Sequence, residues 1–250
     1  MNRLLRAIVA TVVVMSLVGA ARAQGDANAV LDKAIKALGG AERLNAAKAA
    51  ESKSKGKINF GGQESEFTVQ TIHDGLDRFR SEFEGDFGGN KFKGITVING
   101  DKGWRNFGGQ KMDMDKEAVA GEKRNIYLQI AAARIVPLKD KAFKVEAAGE
   151  EKVGDKPAVA LKITGPDGKD FKLFFDKESG LPVKQVAKVM GFMGEEFTQE
   201  TLYSNYKEFS GVKRAAKVEN KRDGERFVEI ELVDFKILDK VDAKTFAEPD

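Results

Sequence analysis

The chain has 250 residues, of which 42 are Lys or Arg, 39 are Asp or Glu, and none is Cys, so disulfides, thiolate chemistry and cysteine-bound zinc are excluded. Without Arg3, Arg6 and Arg22, which lie in an amino-terminal segment read below as removable, 39 basic residues face 39 acids. That balance leaves no basic excess for a nucleic acid, and none is expected as a partner.

Arg3 and Arg6 open the chain, an apolar stretch runs from about Ala7 to Ala20, and Ala21-Arg22-Ala23 puts small residues where a signal peptidase reads them. This is the three-part secretory pattern, with cleavage expected before Gln24. The apolar run falls short of the about 20 residues that span a bilayer. No cysteine stands at the cleavage site to take a lipid anchor, so residues 24–250 are expected as one soluble domain in the periplasm.

From about Asp26 to Leu38 a helix is predicted, because Val30, Leu31, Ala34, Ile35 and Leu38 recur at helical spacing. Asp26 can cap its start and Gly39-Gly40 can end it. A short turn, Ala41 to Ala50, follows. From about Glu51 the period becomes two: Phe67, Val69 and Thr71 alternate with polar residues, then Phe79, Ser81 and Phe83 beyond a turn at Asp74-Gly75. Ile95 and Val97 precede a turn at Asn99-Gly100, and Trp104 and Phe107 fall in a short strand.

Alternation stops between about Lys116 and Val136, where a helix is predicted with Val119, Ile126, Ile130 and Ala133 on its inner stripe and Pro137 at its end. Gly121 and an exposed Lys123-Arg124 pair mark it as a weak helix, suited to a lid. Strands resume at Phe143, with Val159, Leu161 and Ile163, then Phe171, Leu173 and Phe175, in alternation. The last hairpin turns at Arg222-Asp223-Gly224, and its inner phase slips between Leu232 and Val233, which predicts a bulge. Strand follows strand through tight turns, so an antiparallel meander is expected, apolar on one face and charged on the other. Charge on the outer face of nearly every strand excludes a lipid-exposed barrel.

Signals for chemistry are weak. His73 is the only histidine and sits beside the Asp74-Gly75 turn, so it is read as a surface or hairpin residue. Ser52-Lys53-Ser54-Lys55 matches S-x-x-K but lies in a strand without the companion motifs. Asp113-Met114-Asp115 is too short a set of oxygens for calcium and is read as a helix cap, and the Gly-Gly pairs at 61, 88 and 108 as hairpin turns. No nucleophile–base pair emerges, so neither an enzyme nor a cofactor is expected. Met190-Gly191-Phe192-Met193-Gly194 is an apolar hairpin tip. Met190, Phe192 and Met193 either fold inward or contact a membrane or partner.

Several stretches resemble one family. They are Leu38-Gly39-Gly40-Ala41-Glu42-Arg43-Leu44, Asp170 to Asp176 with Ser179-Gly180-Leu181-Pro182-Val183-Lys184, Tyr203-Ser204-Asn205-Tyr206-Lys207, and Val241 to Pro249. In this order they are similar to the LolA/LolB-like outer-membrane lipoprotein-sorting proteins. The resemblance implies a mainly β fold, an incomplete antiparallel barrel whose open apolar side is covered by helices. It also implies a cavity for the acyl chains of a lipid or lipoprotein, with envelope membrane proteins as possible partners of a monomeric carrier. Strand parity then selects Phe67, Val69, Phe79, Phe83, Ile95 and Val97 for one half of the cavity and Phe171, Leu173 and Phe175 for the other, with Val119, Ile126 and Ile130 on the covering helix. The competing reading is an envelope interaction module whose core is filled and which binds no ligand. An open apolar cavity above about 300 Å³ separates the two.

Overall fold

The computed structural model describes residues 26–60, 62–191 and 194–249. The expected signal with its cleavage point before Gln24, and Phe192 and Met193 of the apolar tip, lie outside the described residues. Helix α1 spans residues 26–38, as its periodicity predicts, with Leu31, Ala34, Ile35 and Leu38 buried. Helix α2 is Ala41–Ala46 and helix α3 is Lys116–Arg134, the latter closed by a 3₁₀ turn through Pro137.

The strands are β1 Ala49–Phe60, β2 Gln63–Asp74, β3 Arg78–Phe87, β4 Asn90–Asn99, β5 Lys102–Phe107, β6 Gln110–Asp113, β7 Lys144–Val153, β8 Lys156–Thr164, β9 Asp170–Asp176, β10 Pro182–Met190, β11 Glu196–Phe209, β12 Val212–Arg222 and β13 Glu225–Ile237. They form one 13-stranded antiparallel sheet in the order β6-β5-β4-β3-β2-β1-β13-β12-β11-β10-β9-β8-β7. Two meanders, β1–β6 and β7–β13, are therefore joined by the pairing of β1 with β13, which runs from Ala50↔Ile237 to Ile58↔Val228. The expected bulge is present: Lys53 pairs with Asp234 and Ser54 with Leu232, leaving Val233 as the extra residue, 55% exposed.

The two free edges, β6 and β7, are neighbours in sequence, and α3 is the segment between them. The sheet curls, and α3 crosses its concave side from β4 and β5 to β10. This is the incomplete barrel covered by a helix that the sequence suggested. The motifs that carried the resemblance build its joints. A Cβ at Gly39 would stand 2.9 Å from the Gly211 carbonyl oxygen, so only glycine lets the α1–α2 corner seat on the β11–β12 turn, where Arg43 donates to the same oxygen at 3.1 Å. The Asp176 carboxylate accepts from the Ser179 amide (2.7 Å) and hydroxyl (2.6 Å), closing the β9–β10 turn under α1. These bonds hold its carboxyl below the usual range.

The main core lies between α1, α3 and the concave face of β7–β13, and includes Leu31, Leu38, Tyr127, Leu128, Phe171, Leu173 and Phe175. A second cluster, Phe79, Ile98, Val119, Ile126 and Ile130, seals α3 against β3 and β4. The carboxy-terminal 3₁₀ helix, Ala243–Phe246, packs on the opposite face: Arg78 lies over the Phe246 ring, and the Asn99 amide donates to the Phe246 carbonyl at 3.2 Å.

Candidate functional site: a polar-ended cavity beside a phenylalanine strip

Between α3 and the concave sheet lies a cavity of about 360 Å³. The strands β1, β2 and β10–β13 form its floor, because their alternate side chains point to the concave side. Its apolar wall comes from Leu38, Val69, Leu128, Val218, Ile230 and Leu232. Its polar lining includes Ser52 and Thr71, joined by a 2.6 Å hydrogen bond between their hydroxyls, with Gln185, Thr201, Tyr203, Tyr206, Arg214 and Arg222. Glu122 of α3 also faces it. Burial pushes the Glu122 carboxyl up while Arg105, 3.2 Å away, opposes that shift.

Beyond the part of the concave face that α3 covers, five phenylalanines form a strip. Centroid distances are 5.1 Å for Phe67–Phe83, 6.1 Å for Phe83–Phe87, 6.2 Å for Phe87–Phe92 and 5.8 Å for Phe92–Phe107. Glycines on the same face make room for the rings. An added Cβ would meet the Phe67 ring at 2.6 Å from Gly56 and the Phe107 ring at 2.7 Å from Gly94. Phe67 is buried, Phe83, Phe87 and Phe107 are half-buried, and Phe92 is 38% exposed. Phe67 stands two residues from Val69 on the same face, so the strip runs into the cavity wall.

The residues chosen by parity fall into four groups. Val69 lines the cavity, and Phe67 and Phe83 belong to the strip. Phe171, Leu173 and Phe175 are at most 3% exposed, and Phe79, Val119, Ile126 and Ile130 sit in the sealed cluster, so these seven are core rather than lining. Ile95 and Val97 stand on the other face. Phe79 pairs with Ile98 and Phe83 with Gly94, so the concave residues of β4 are Gly94, Thr96 and Ile98. Both faces of β4 are apolar near its end because the carboxy-terminal helix covers the outer one, and alternation alone cannot choose between them. Met190 folds inward, its Cβ 3.8 Å from where a side chain at Gly121 of α3 would begin.

Two further expectations are corrected. His73 is only 8% exposed: it points to the concave side, opposite Ala50 and Phe79, and its Nδ1 has no hydrogen-bond partner. Burial first, then the charges of Arg214 and Arg134, lower it to about 3. Arg124 is 2% exposed and pins α3. Its guanidinium donates to the Lys188 carbonyl (2.7 Å), the Asp170 carbonyl (3.0 Å) and the Asp167 carboxylate (2.9 Å), and to the Tyr127 hydroxyl. Asp115, as expected, caps α3, accepting from the Ala118 amide at 2.8 Å.

Arg214, Arg222, Tyr203 and Tyr206 were not singled out from the sequence. Arg214 had a signal: it interrupts the apolar phase Val212, Ala216, Val218 of its strand. The tyrosines had one too, since both stand in a stretch that carried the family resemblance. A larger depression, about 870 Å³, is lined by outer-face charges, with Lys55 paired to Glu231 (3.2 Å) and Lys93 to Glu84 (3.1 Å), and also by Phe67 and Phe92 at the edge of the strip. Among the described residues no cluster of His, Cys, Asp and Glu could hold a metal ion, and no helix is long and apolar enough to cross a membrane.

The curled sheet, the helix across its open side and the cavity between them define a class, the LolA-like fold. Solved structures share it: a LolA superfamily protein from Nitrosomonas europaea at 13% identity and TM-score 0.60, covering 89% of this chain and 97% of that one. A domain from Vibrio parahaemolyticus described as an outer membrane lipoprotein-sorting protein matches at 10% identity and TM-score 0.53, over 86% and 97% of the two chains. A DUF1329 family protein from Desulfovibrio piger matches at 15% identity and TM-score 0.54, over 88% and 97%. No family model and no curated protein matches the sequence. The chain therefore has the LolA-like fold, at identities where architecture is shared and side chains are its own.

Proposed function

We propose that the chain is an exported envelope protein that binds or carries a lipid, or the acyl chains of a lipoprotein, on the concave face beside α3. The observation that carries this reading is the phenylalanine strip left open on the inner side of the sheet and continuous with the cavity. Hydrocarbon laid on such a surface gains about 0.8 kcal/mol per CH₂ removed from water, enough for reversible capture. The fold shared with a lipoprotein-sorting domain supports the reading. A docking module with a dry core would not hold a cavity of about 360 Å³ at its centre. That size lies within the roughly 300–1,000 Å³ of small-ligand sites.

In this reading Phe67, Val69 and Phe83 contact the hydrocarbon together with Phe87, Phe92 and Phe107. Native mass spectrometry of the protein taken from the envelope fraction should show an added lipid mass, and the stripped protein should bind a fluorescent acyl probe. Phe92→Glu, on the strip, and Ala133→Trp, which fills the cavity from α3, should each weaken the probe at least tenfold. A wild-type protein that neither carries a lipid nor binds the probe would remove this reading.

A further inference from the structure

The Arg214 end of the cavity holds cations without an acid to match them. The Arg214 guanidinium stacks on the Phe235 ring, 4.4 Å from its centroid, and opens to the cavity. No carboxylate among the described residues forms an ion pair with it. The charged or polar groups that act on it are Arg134, Tyr203 and Tyr206. Arg134 comes from α3, is 6% exposed, and spends its Nε on the Leu44 carbonyl at 3.0 Å. His73, 8% exposed and kept neutral by burial and these two arginines, stands near them with an unpartnered Nδ1. Of the two tyrosines, Tyr206 donates to the Pro182 carbonyl at 2.7 Å, whereas the Tyr203 hydroxyl bonds to no described residue and is free to donate into the cavity.

A buried cation with no counter-ion is costly, because desolvation is not offset by attraction. Here burial, with repulsion from Arg134 and against the opposing pull of Tyr206 and Tyr203, lowers Arg214 to about 10. Stacking on Phe235 fixes the guanidinium but supplies no negative charge. A site that concentrates unmatched positive charge at one end of a partly apolar cavity fits a ligand with an anionic end.

We infer that the Arg214 end of the cavity receives the anionic head group, carboxylate or phosphate, of the amphiphile whose hydrocarbon the apolar wall and phenylalanine strip hold. Arg214 pairs with the anion, Tyr203 donates to it, and Arg134 adds field from α3. The inference rests on the lipid-binding reading and narrows it to a chemical class: neutral hydrocarbon chains are the weaker ligands.

The test uses three probes of one chain length, dodecanoate, dodecyl phosphate and dodecanol, each displacing a fluorescent acyl probe. Both anions, or one of them, should bind at least tenfold tighter than the alcohol, and whichever anion leads identifies a free carboxylate or a phosphate ester as the head. Arg214→Met should bring the anions to the level of the alcohol, while Arg214→Lys should keep part of the preference. The single histidine is a reporter that needs no variant: the His73 ring resonances should shift on adding dodecanoate or dodecyl phosphate and stay in place with dodecanol. Equal affinity for all three probes would overturn the inference and leave the lipid reading standing. An anion preference that survives Arg214→Met, with His73 unmoved, would place the head elsewhere and overturn it too. Binding of none of the three would remove both.

Discussion

His73 shows how much a neighbour in the fold can change a residue. Beside an Asp-Gly turn it reads as a surface group. In the folded chain β2 turns it to the concave side, where burial and two arginines keep it neutral far below its usual 6.5. The linkage has a definite sign. Above pH 6.5 the imidazole is neutral in both folded and unfolded chains and contributes no pH dependence. Between 6.5 and about 3 the unfolded chain takes up a proton that the folded chain refuses, so stability is lost as the pH falls. Relative to His73→Gln, wild-type unfolding free energy should drop by up to about 1.4 kcal/mol per pH unit through that window. Urea unfolding of both proteins at pH 7.5, 6 and 5 measures this. A constant difference across the series would mean that the ring is solvated. Arg214 makes the complementary point: its place in an apolar phase was visible in the sequence, but its lack of an acidic partner depends on strands far apart in the chain.

At the scale of the element, α3 was located by composition and ended by proline, within two residues of its observed bounds. Its expected character as a loose lid does not hold. Arg124 ties it to the β8–β9 turn and to β10, Gln185 donates to the Leu128 carbonyl at 3.1 Å, and Val119, Ile126 and Ile130 seal it to Phe79 and Ile98. Lys123, the neighbour of Arg124, does reach the surface, pairing with Asp101 at 2.8 Å. Consecutive helical residues point about 100° apart, so one can be buried while the next is exposed. Arg124→Met takes the guanidinium from two carbonyls and from Asp167, which keeps the Tyr127 hydroxyl and the Lys169 amide as donors, and should cost about 1–3 kcal/mol. Unfolding by urea gives the loss, and hydrogen exchange should speed up in α3 and the β8–β9 turn together. A loss below about 1 kcal/mol would show that the guanidinium is dispensable as an anchor.

For the whole molecule, closure depends on two contacts between distant parts of the chain: β1 against β13, and α3 across the gap between β6 and β7. The exposed edges are blunted. β6 has four residues, and β7 carries a bulge between Ala147 and Glu150 and a run of charge, Glu150-Glu151-Lys152, which discourages pairing with another chain. We expect this body to be released from a precursor: amino-terminal sequencing of the envelope-fraction protein should begin at Gln24, and the protein should stay in solution without detergent. An intact Met1 end recovered with membranes would contradict that.

The sequence by itself determined the strands, their turns, the bulge at Val233, α1 and the position of α3, because each rests on a local period or a turn residue that no distant contact overrides. Those signals also pointed to the LolA-like architecture. Only the tertiary structure decided which face of β4 looks inward, since the carboxy-terminal helix makes its outer face apolar as well. It also decided that Phe171, Leu173, Phe175 and the Phe79 cluster are sealed while Phe83 and Phe92 keep exposed surface. Periodicity reports that a side chain leaves water, not whether protein or ligand takes the place of water, and that depends on where α1 and α3 come to rest on the curved sheet.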